Sequence, residues 1–600
     1  MRIFYKYGLL FITVIALFSF KGFINNSLEN KINQSLYRAL NVVSEDEKFL
    51  VWVDFTDKGN NPEKFINTPE RLLTPKAIER RELRGTGELV DFTDIPVKNE
   101  YIDGVKNYGL EIKNVSKWFN SVSCYATKLQ IEQLAREDFV KKIELVARFK
   151  TNIDYKKDLI IEEKSGSTNY FQNDNPSTLN YGGSFHQSDL INVPTGHDSG
   201  YTGKGVLIAC FDTGFDNLEH PCFDSIRARG LRTYDFVNGD TNVANEPGQM
   251  GEGSHGTRVL SLIVGYGPGN LISPAFDSRV ILAKTENTDS ETPVEEDNWI
   301  AAAEWADSLG ADIISSSLIY REFDPGSPYS YDWTWMNGDS CKITIGADLI
   351  VGKGIVVVNA AGNNGFDPNH NTLGAPADGD SVITIGSIDP DGLRSSFSSV
   401  GPTVDGRNKP DLMAMGRDNV TAEFGSGSTG YTSFGSGTSF ACPMAAGVVA
   451  MIIQANPSLN PIKIRGVLRS TASNSSSPNS LIGWGTINAW NAIQLALTTS
   501  IDPVSGNLPD GYTLGQNYPN PFNPMTTIPF AVNRSSTVSL KLYDMSGREV
   551  ATLLNNASIQ PSVQNIQLNT STLGLSSGVY FYSLILDGVV ADTKKMVLMK

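Results

Sequence analysis

Residues 206–214 read VLIACFDTG. Six apolar residues in a row, closed at once by aspartate, threonine and glycine, describe a strand buried on both faces that ends in a charge. Comparable runs follow at 312–318 (DIISSSL), 354–361 (GIVVVNAA) and 381–388 (SVITIGSI). Helical patterns around 256–264, 298–309, 341–352 and 440–455 accompany them. Apolar strands spaced by helices predict an α/β domain over residues 181–498, a parallel sheet with helices on both faces. Chemistry in such sheets gathers at the carboxyl ends of the strands, which places Asp212 on the rim. A carboxylate buried there is costly unless a donor meets it.

Histidine is the usual partner for proton transfer near neutral pH. The chain has His186, His197, His220, His255 and His370. Only His255 stands among glycines at a predicted helix start, in Gly253-Ser254-His255-Gly256-Thr257 ahead of the apolar run VLSLIVG. Ser439 stands in Gly435-Ser436-Gly437-Thr438-Ser439-Phe440-Ala441-Cys442-Pro443, before MAAGVVAMII. A serine at a helix start has free N–H groups and the helix dipole beside it, both favouring developing negative charge. Asn363, in Gly362-Asn363-Asn364-Gly365 after the strand GIVVVNAA, supplies an amide donor for an oxyanion. Singly, each residue has a commoner role. The aspartate and asparagine suit turns, the histidine a surface or cap, the serine an N-cap. Their joint occurrence, in the order Asp, His, Asn, Ser, points to nucleophilic catalysis.

These segments resemble the subtilisin family of serine peptidases. The matching motifs are IACFDTGFD around Asp212, HGTRVLSLIVG at His255, AAGNNG at Asn363 and GTSFACPMAAGV at Ser439. The resemblance covers about residues 200–475, and the chain order Asp, His, Ser is the subtilisin one. It implies a secreted serine endopeptidase acting on proteins or peptides through an acyl-enzyme, with no cofactor needed for the chemistry. Ser439 is then the nucleophile, His255 the base, Asp212 its orienter and Asn363 an oxyanion donor. Substrate would bind along Ser317, Leu318 and Ile319 and along Ala360, Ala361 and Gly362. The family typically reads Ser-Leu-Gly where this chain reads Ser317-Leu318-Ile319, so specificity does not transfer. Met444 stands where the family often has histidine, a change that leaves the Asp, His and Ser residues in place.

The rest of the chain is organised around that domain. At 600 residues it exceeds one core. Hydrophobic residues make up 40%, with 55 glycines and 29 prolines, an ordinary globular composition rich in turns. A net charge of −16 argues against nucleic acid as a partner. Arg2, Lys6 and the apolar run Leu9–Phe20 read as a secretory signal over 1–23, because the run is too short to span a bilayer. Residues 24–153 read as a small α+β unit, with strands at 49–55 and 121–129 and a helix around 130–137. Its position matches the inhibitory pro-domain of the resembled family. Residues 154–180 read as an exposed linker. A second linker, 499–510, leads to a β-sandwich over 511–600, whose alternation is clearest in VSLKLYDMSG and GVYFYSLILDG. LGQNYPNPFNPMTTIPFAV, VSLKLYDMSGREVATLL, LSSGVYFYSL and KKMVLMK resemble the sorting domain of the type nine secretion system of Gram-negative bacteria. This implies passage through the periplasm and outer membrane, with the secretion machinery as a partner. The chain is expected to work as a monomer.

Other features are open to two readings. The aromatic stretch 320–340 suits either a cleft wall or a surface insert. The acidic run Glu286–Asp297 offers oxygens for a structural calcium, but its spacing matches no calcium loop and favours a solvated segment. Cys222 and Cys341 are candidates for a disulfide. Gly574-Leu575-Ser576-Ser577-Gly578 fits the lipase-like G-x-S-x-G pattern, yet a strand follows where that motif needs a helix, so Ser576 is a turn residue. A surface-adhesion protein that keeps the fold without turnover is the other class of function the fold admits.

Overall fold

The computed structural model describes residues 31–148, 177–499 and 512–598, apart from a few short internal stretches. The signal segment 1–23 lies outside the described residues, as do nearly all of the linkers 154–180 and 499–510.

The first unit has strands β1 (Lys48–Phe55), β2 (Glu111–Ser116), β3 (Ser121–Thr127) and β4 (Val140–Arg148), with helices α1 (Pro75–Arg84) and α2 (Lys128–Leu134). The sheet is antiparallel in the order β2-β3-β1-β4.

The central unit contains β5 (Leu207–Asp212), β6 (Arg232–Asp235), α3 (His255–Val264), β7 (Arg279–Lys284), α4 (Val294–Leu309), β8 (Ile313–Ser316), α5 (Lys342–Gly352), β9 (Val356–Ala360), β10 (Ile383–Ile388), β11 (Leu412–Met415) and α6 (Thr438–Ala455). Seven parallel strands run in the order β11-β10-β9-β8-β5-β7-β6. The unbroken apolar run is explained by alternation between two cores. Ile208 and Cys210 pack with α3 and α6 on one face. Leu207, Ala209 and Phe211 pack with α4 and α5 on the other. From β5 the chain builds β6 and β7 on one side, then crosses to β8 on the other. Asp212 therefore ends the strand at which the winding reverses, where such sheets open a crevice. The strand expected over 312–318 stops at Ser316, and Ser317–Ile319 continue without a strand partner.

The last unit has β12 (Tyr512–Leu514), β13 (Met525–Val532), β14 (Ser536–Asp544), β15 (Glu549–Ile559), β16 (Ser562–Asn569), β17 (Gly578–Leu586) and β18 (Val589–Leu598). They form two antiparallel sheets, β12-β13-β16 and β15-β14-β17-β18. Phe530 and Leu568 of one sheet share a core with Leu540 and Tyr582 of the other, which makes a sandwich. Ser576 is exposed in the turn before β17, as its sequence context requires.

The first unit is bolted to α4. Asp297 accepts from Trp52 Nε1 at 2.8 Å, Asn114 Nδ2 at 2.7 Å and Ser123 Oγ at 2.5 Å. Glu304 accepts from Ser116 Oγ at 2.6 Å and from the Lys117 and Trp118 N–H groups at 3.0 and 3.1 Å. Asp307 meets Arg80 at 2.5 Å and Arg81 at 2.6 Å. Asp312, just before β8, meets Arg84 and, at 2.9 Å, Lys76. Asp307 and Asp312 are thus both paired with basic side chains of α1.

Candidate active site

Asp212 is fully buried, and its Oδ1 accepts from His255 Nδ1 at 2.8 Å and from the Thr213 N–H at 2.8 Å. Glycine makes this approach fit. A methyl group on Gly256 would stand 2.4 Å from the Gly214 carbonyl oxygen and 2.9 Å from Asp212 Cβ. The Nδ1 bond to Asp212 fixes the ring's orientation and leaves Nε2 clear of it. Among the described residues Nε2 has no hydrogen-bond partner although it is buried, and the ring lies 5.8 Å, centroid to centroid, from Phe440.

Ser439 is the second residue of α6, next to Phe440. Its hydroxyl donates to the Ser317 carbonyl at 3.2 Å rather than to His255. One hydroxyl proton serves one acceptor, so only the Asp–His half of a proton-transfer line is hydrogen-bonded in this structure. Pro443 contributes to the local geometry. Lacking an N–H, it cannot donate to the carbonyl four residues back, that of Ser439. That oxygen accepts from Ser317 Oγ at 2.9 Å instead. The two reciprocal bonds hold the Ser317 segment against the head of α6.

Asn363 is tied to the same helix start. Its Oδ1 accepts from the Thr438 N–H at 2.9 Å and from Thr438 Oγ1 at 3.0 Å. Thr438 Oγ1 in turn accepts from the Gly362 N–H at 3.2 Å. These bonds orient the amide so that its NH₂ group remains free to donate. Among the described residues the Ser439 N–H also lacks an acceptor, as helix-start N–H groups commonly do. Both donors lie close to the space that Gly437 leaves empty. A side chain there would begin 3.4 Å from Asn363 Nδ2 and 3.7 Å from the Ser439 nitrogen. Ser317, Leu318, Ala360, Ala361 and Gly362 are buried beside this pocket, and Ile319 is half-buried.

The other histidines are otherwise engaged. His197 lies between Tyr181 Oη and the Pro274 carbonyl, and burial pushes it down to about 4. His220 contacts the Gly430 carbonyl, His186 the Pro390 carbonyl, and His370 stacks on Trp333.

The acidic run is largely buried, not solvated. Burial pushes Glu286 up to about 8 although it accepts from Tyr320 Oη at 2.6 Å, and burial likewise pushes Glu296 up to about 8 where Tyr331 Oη binds it. Phenols from a distant stretch and Trp52 of the first unit meet these carboxyls, which charge spacing could not show. The aromatic stretch serves the junction of the units. Tyr329, Tyr331 and Trp335 line a cavity of about 830 Å³ together with Trp52, Phe119 and Phe522. Cys222 and Cys341 are unpaired, and all five cysteines are free and buried. Sequence reasoning did not single out Thr438, although it stands inside the quoted serine motif.

The model of the subtilase family matches residues 203–485, the span that carries Asp212, His255, Asn363 and Ser439. Subtilisin of Bacillus pumilus is 32% identical over 306 residues, 51% of this chain and 96% of that one. The chain belongs to the subtilase family of serine peptidases. Serine protease AprX of Bacillus subtilis is 29% identical over 324 residues, 49% of this chain and 67% of that protein. A protease of Pseudoalteromonas arctica is a structural match at 23% identity and a TM-score of 0.42, covering 53% of this chain and 100% of that one. The subtilase is preceded by a match to the peptidase S8 propeptide domain of Bacteroidota over 50–162 and followed by a secretion system C-terminal sorting domain over 516–599. The sorting domain directs this subtilase to type nine secretion, so its place is outside the cell or on its surface. Its substrates are proteins, and the secretion machinery is its partner.

Proposed function

We propose that this subtilase is an endopeptidase whose chemistry is carried by Ser439, His255, Asp212 and Asn363. The observation that carries the reading is the buried 2.8 Å bond from His255 to Asp212, which leaves Nε2 unpartnered beside the helix start that bears Ser439. With a peptide bound, the Ser439 hydroxyl turns from Ser317 to Nε2. Oγ attacks the scissile carbonyl carbon as His255 takes the proton. Asp212 stabilises the imidazolium, and Asn363 Nδ2 and the Ser439 N–H hold the oxyanion. The tetrahedral intermediate collapses, the C–N bond breaks, and His255 gives its proton to the departing amine. Water then attacks the acyl-enzyme, again with His255 as base. Substrate lies between Ser317-Leu318-Ile319 and Ala360-Ala361-Gly362. The propeptide, docked on α4, keeps the chain latent until it is removed. The chain works as a monomer, and the chemistry draws on its own side chains and water alone.

Two measurements test this reading. After propeptide removal, a serine-directed phosphonate is expected to label Ser439 and abolish casein hydrolysis. A folded, mature protein that takes no label there retires the mechanism and favours a binding protein with a peptidase fold. Asn363→Ala is expected to lower kcat by about 10²–10³, the cost of one oxyanion donor, with KM little changed. An unchanged kcat removes Asn363 from the oxyanion site.

A further inference from the structure

Resting on the catalytic reading above, we propose that Ile319 fills the pocket for the residue whose carbonyl is attacked, so that this subtilase cleaves after small residues: glycine, alanine or serine. The attacked carbon must come within bonding reach of Ser439 Oγ while its oxygen faces Asn363 Nδ2 and the Ser439 N–H. The acyl residue's α-carbon is one bond further, and its side chain branches there into the gap between two segments. One segment is Ser317–Ile319, whose first carbonyl now receives the Ser439 hydroxyl at 3.2 Å. The other is Ala360–Gly362, which leads directly into Asn363.

Across that gap Gly362 and Gly374 present bare backbone, and Ile319 uses the room. A methyl group on Gly362, where φ is +108°, would stand 3.1 Å from Ile319 Cδ1. One on Gly374 would stand 3.0 Å from Ile319 Cβ and 3.1 Å from its Cδ1. The isoleucine side chain therefore occupies space next to both glycines.

It has little freedom to leave. The following residue, Tyr320, donates its N–H to Ala375 at 2.8 Å and accepts from the Ala375 N–H at 3.0 Å. Its phenol donates to Glu286 at 2.6 Å, and Tyr320 is fully buried. On the other side, the Leu318 carbonyl accepts from Asn359 Nδ2 at 2.9 Å. Backbone movement is blocked on both flanks, and a β-branched side chain has few rotamers to try. A phenylalanyl side chain would have to displace the isoleucine.

The test uses the mature enzyme and two peptides that differ only at the acyl residue, alanine or phenylalanine. The natural enzyme is expected to favour the alanine peptide at least about tenfold in kcat/KM, the scale on which a filled apolar pocket discriminates. Ile319→Gly is expected to raise kcat/KM for the phenylalanine peptide at least about tenfold and to narrow or reverse the preference. Ile319→Ala, which keeps a Cβ and ordinary backbone preferences, is expected to give an intermediate ratio and covers the case in which the glycine variant does not fold. Equal cleavage of both peptides by a natural enzyme whose Ser439 takes the phosphonate overturns the role of Ile319 and leaves the catalytic reading intact. So does an unchanged ratio in both variants. Failure to cleave either peptide, with Ser439 unlabelled, defeats the catalytic reading and this inference with it.

Discussion

Ser439→Ala in the mature subtilase is expected to lower kcat by about six powers of ten, with KM changed little. In subtilisin, loss of the nucleophile or of the base alone costs about 2 × 10⁶, as much as loss of all three groups. The size follows from the mechanism. Without Oγ no acyl-enzyme forms, and the oxyanion donors and bound geometry are left to assist water directly, worth about 10³–10⁴ over the uncatalysed reaction. His255→Ala should match the serine variant. Adding it to Ser439→Ala should cost almost nothing more, because the two act as one unit. Casein or peptide hydrolysis, corrected for contaminating protease, gives the numbers. Two losses that multiply would show that the hydroxyl and imidazole do not form one proton-transfer line.

The second large effect concerns latency. Among the described residues, the guanidinium of Arg80 donates only across the boundary from propeptide to peptidase: to the Lys353 carbonyl at 3.1 Å, the Asp307 carbonyl at 3.3 Å, the Ala311 carbonyl at 2.8 Å and Asp307 Oδ1 at 2.5 Å. Breaking one side of a buried ion pair costs about 3–5 kcal/mol, because the remaining groups stay desolvated. Arg80→Ala is therefore expected to weaken docking by roughly 10²- to 10³-fold or more. A Ser439→Ala chain with an engineered cleavage site near Ser165 lets the two parts be separated by a second protease. After the cut, the propeptide should co-elute with the peptidase on gel filtration when Arg80 is present and dissociate when it is alanine. Co-elution of both would show that the latch lies elsewhere. The pH dependence has a definite sign. Burial would raise the Asp307 carboxyl, but Arg81, Arg80 and Lys117 overcome it and hold it at about 2. A carboxyl depressed on docking adds stability above its ordinary range near about 4 and loses it only as pH falls towards 2. Mild acid does not open this pair.

Local signals in the sequence carried the peptidase fold. VLIACF and GIVVVNAA are apolar on both faces because each strand feeds two cores, and that pattern needs no knowledge of partners. The quoted motifs were legible for the same reason: Gly256 marks a place where backbone must come close, and Gly437 a space beside Asn363 that a side chain would fill. What was not legible depends on meetings between distant segments. Arg80 and Asp307 are separated by 227 residues. The run Glu286–Asp297 looks water-facing until Tyr320, Tyr331 and Trp52 are brought to it. Ser317 and Leu318 look like more strand, yet they have no strand partner. The resting direction of the Ser439 hydroxyl is a rotamer, and no residue pattern encodes it.

The five free, buried cysteines have a practical consequence. No covalent cross-link staples this exported protein, so reductants should leave it folded, and its thiols stay unreactive while they are shielded. Cys124 belongs to the propeptide, Cys210, Cys222, Cys341 and Cys442 to the peptidase, and none to the sorting domain. Alkylation followed by peptide mapping thus times the opening of each of the first two units separately, with no introduced label.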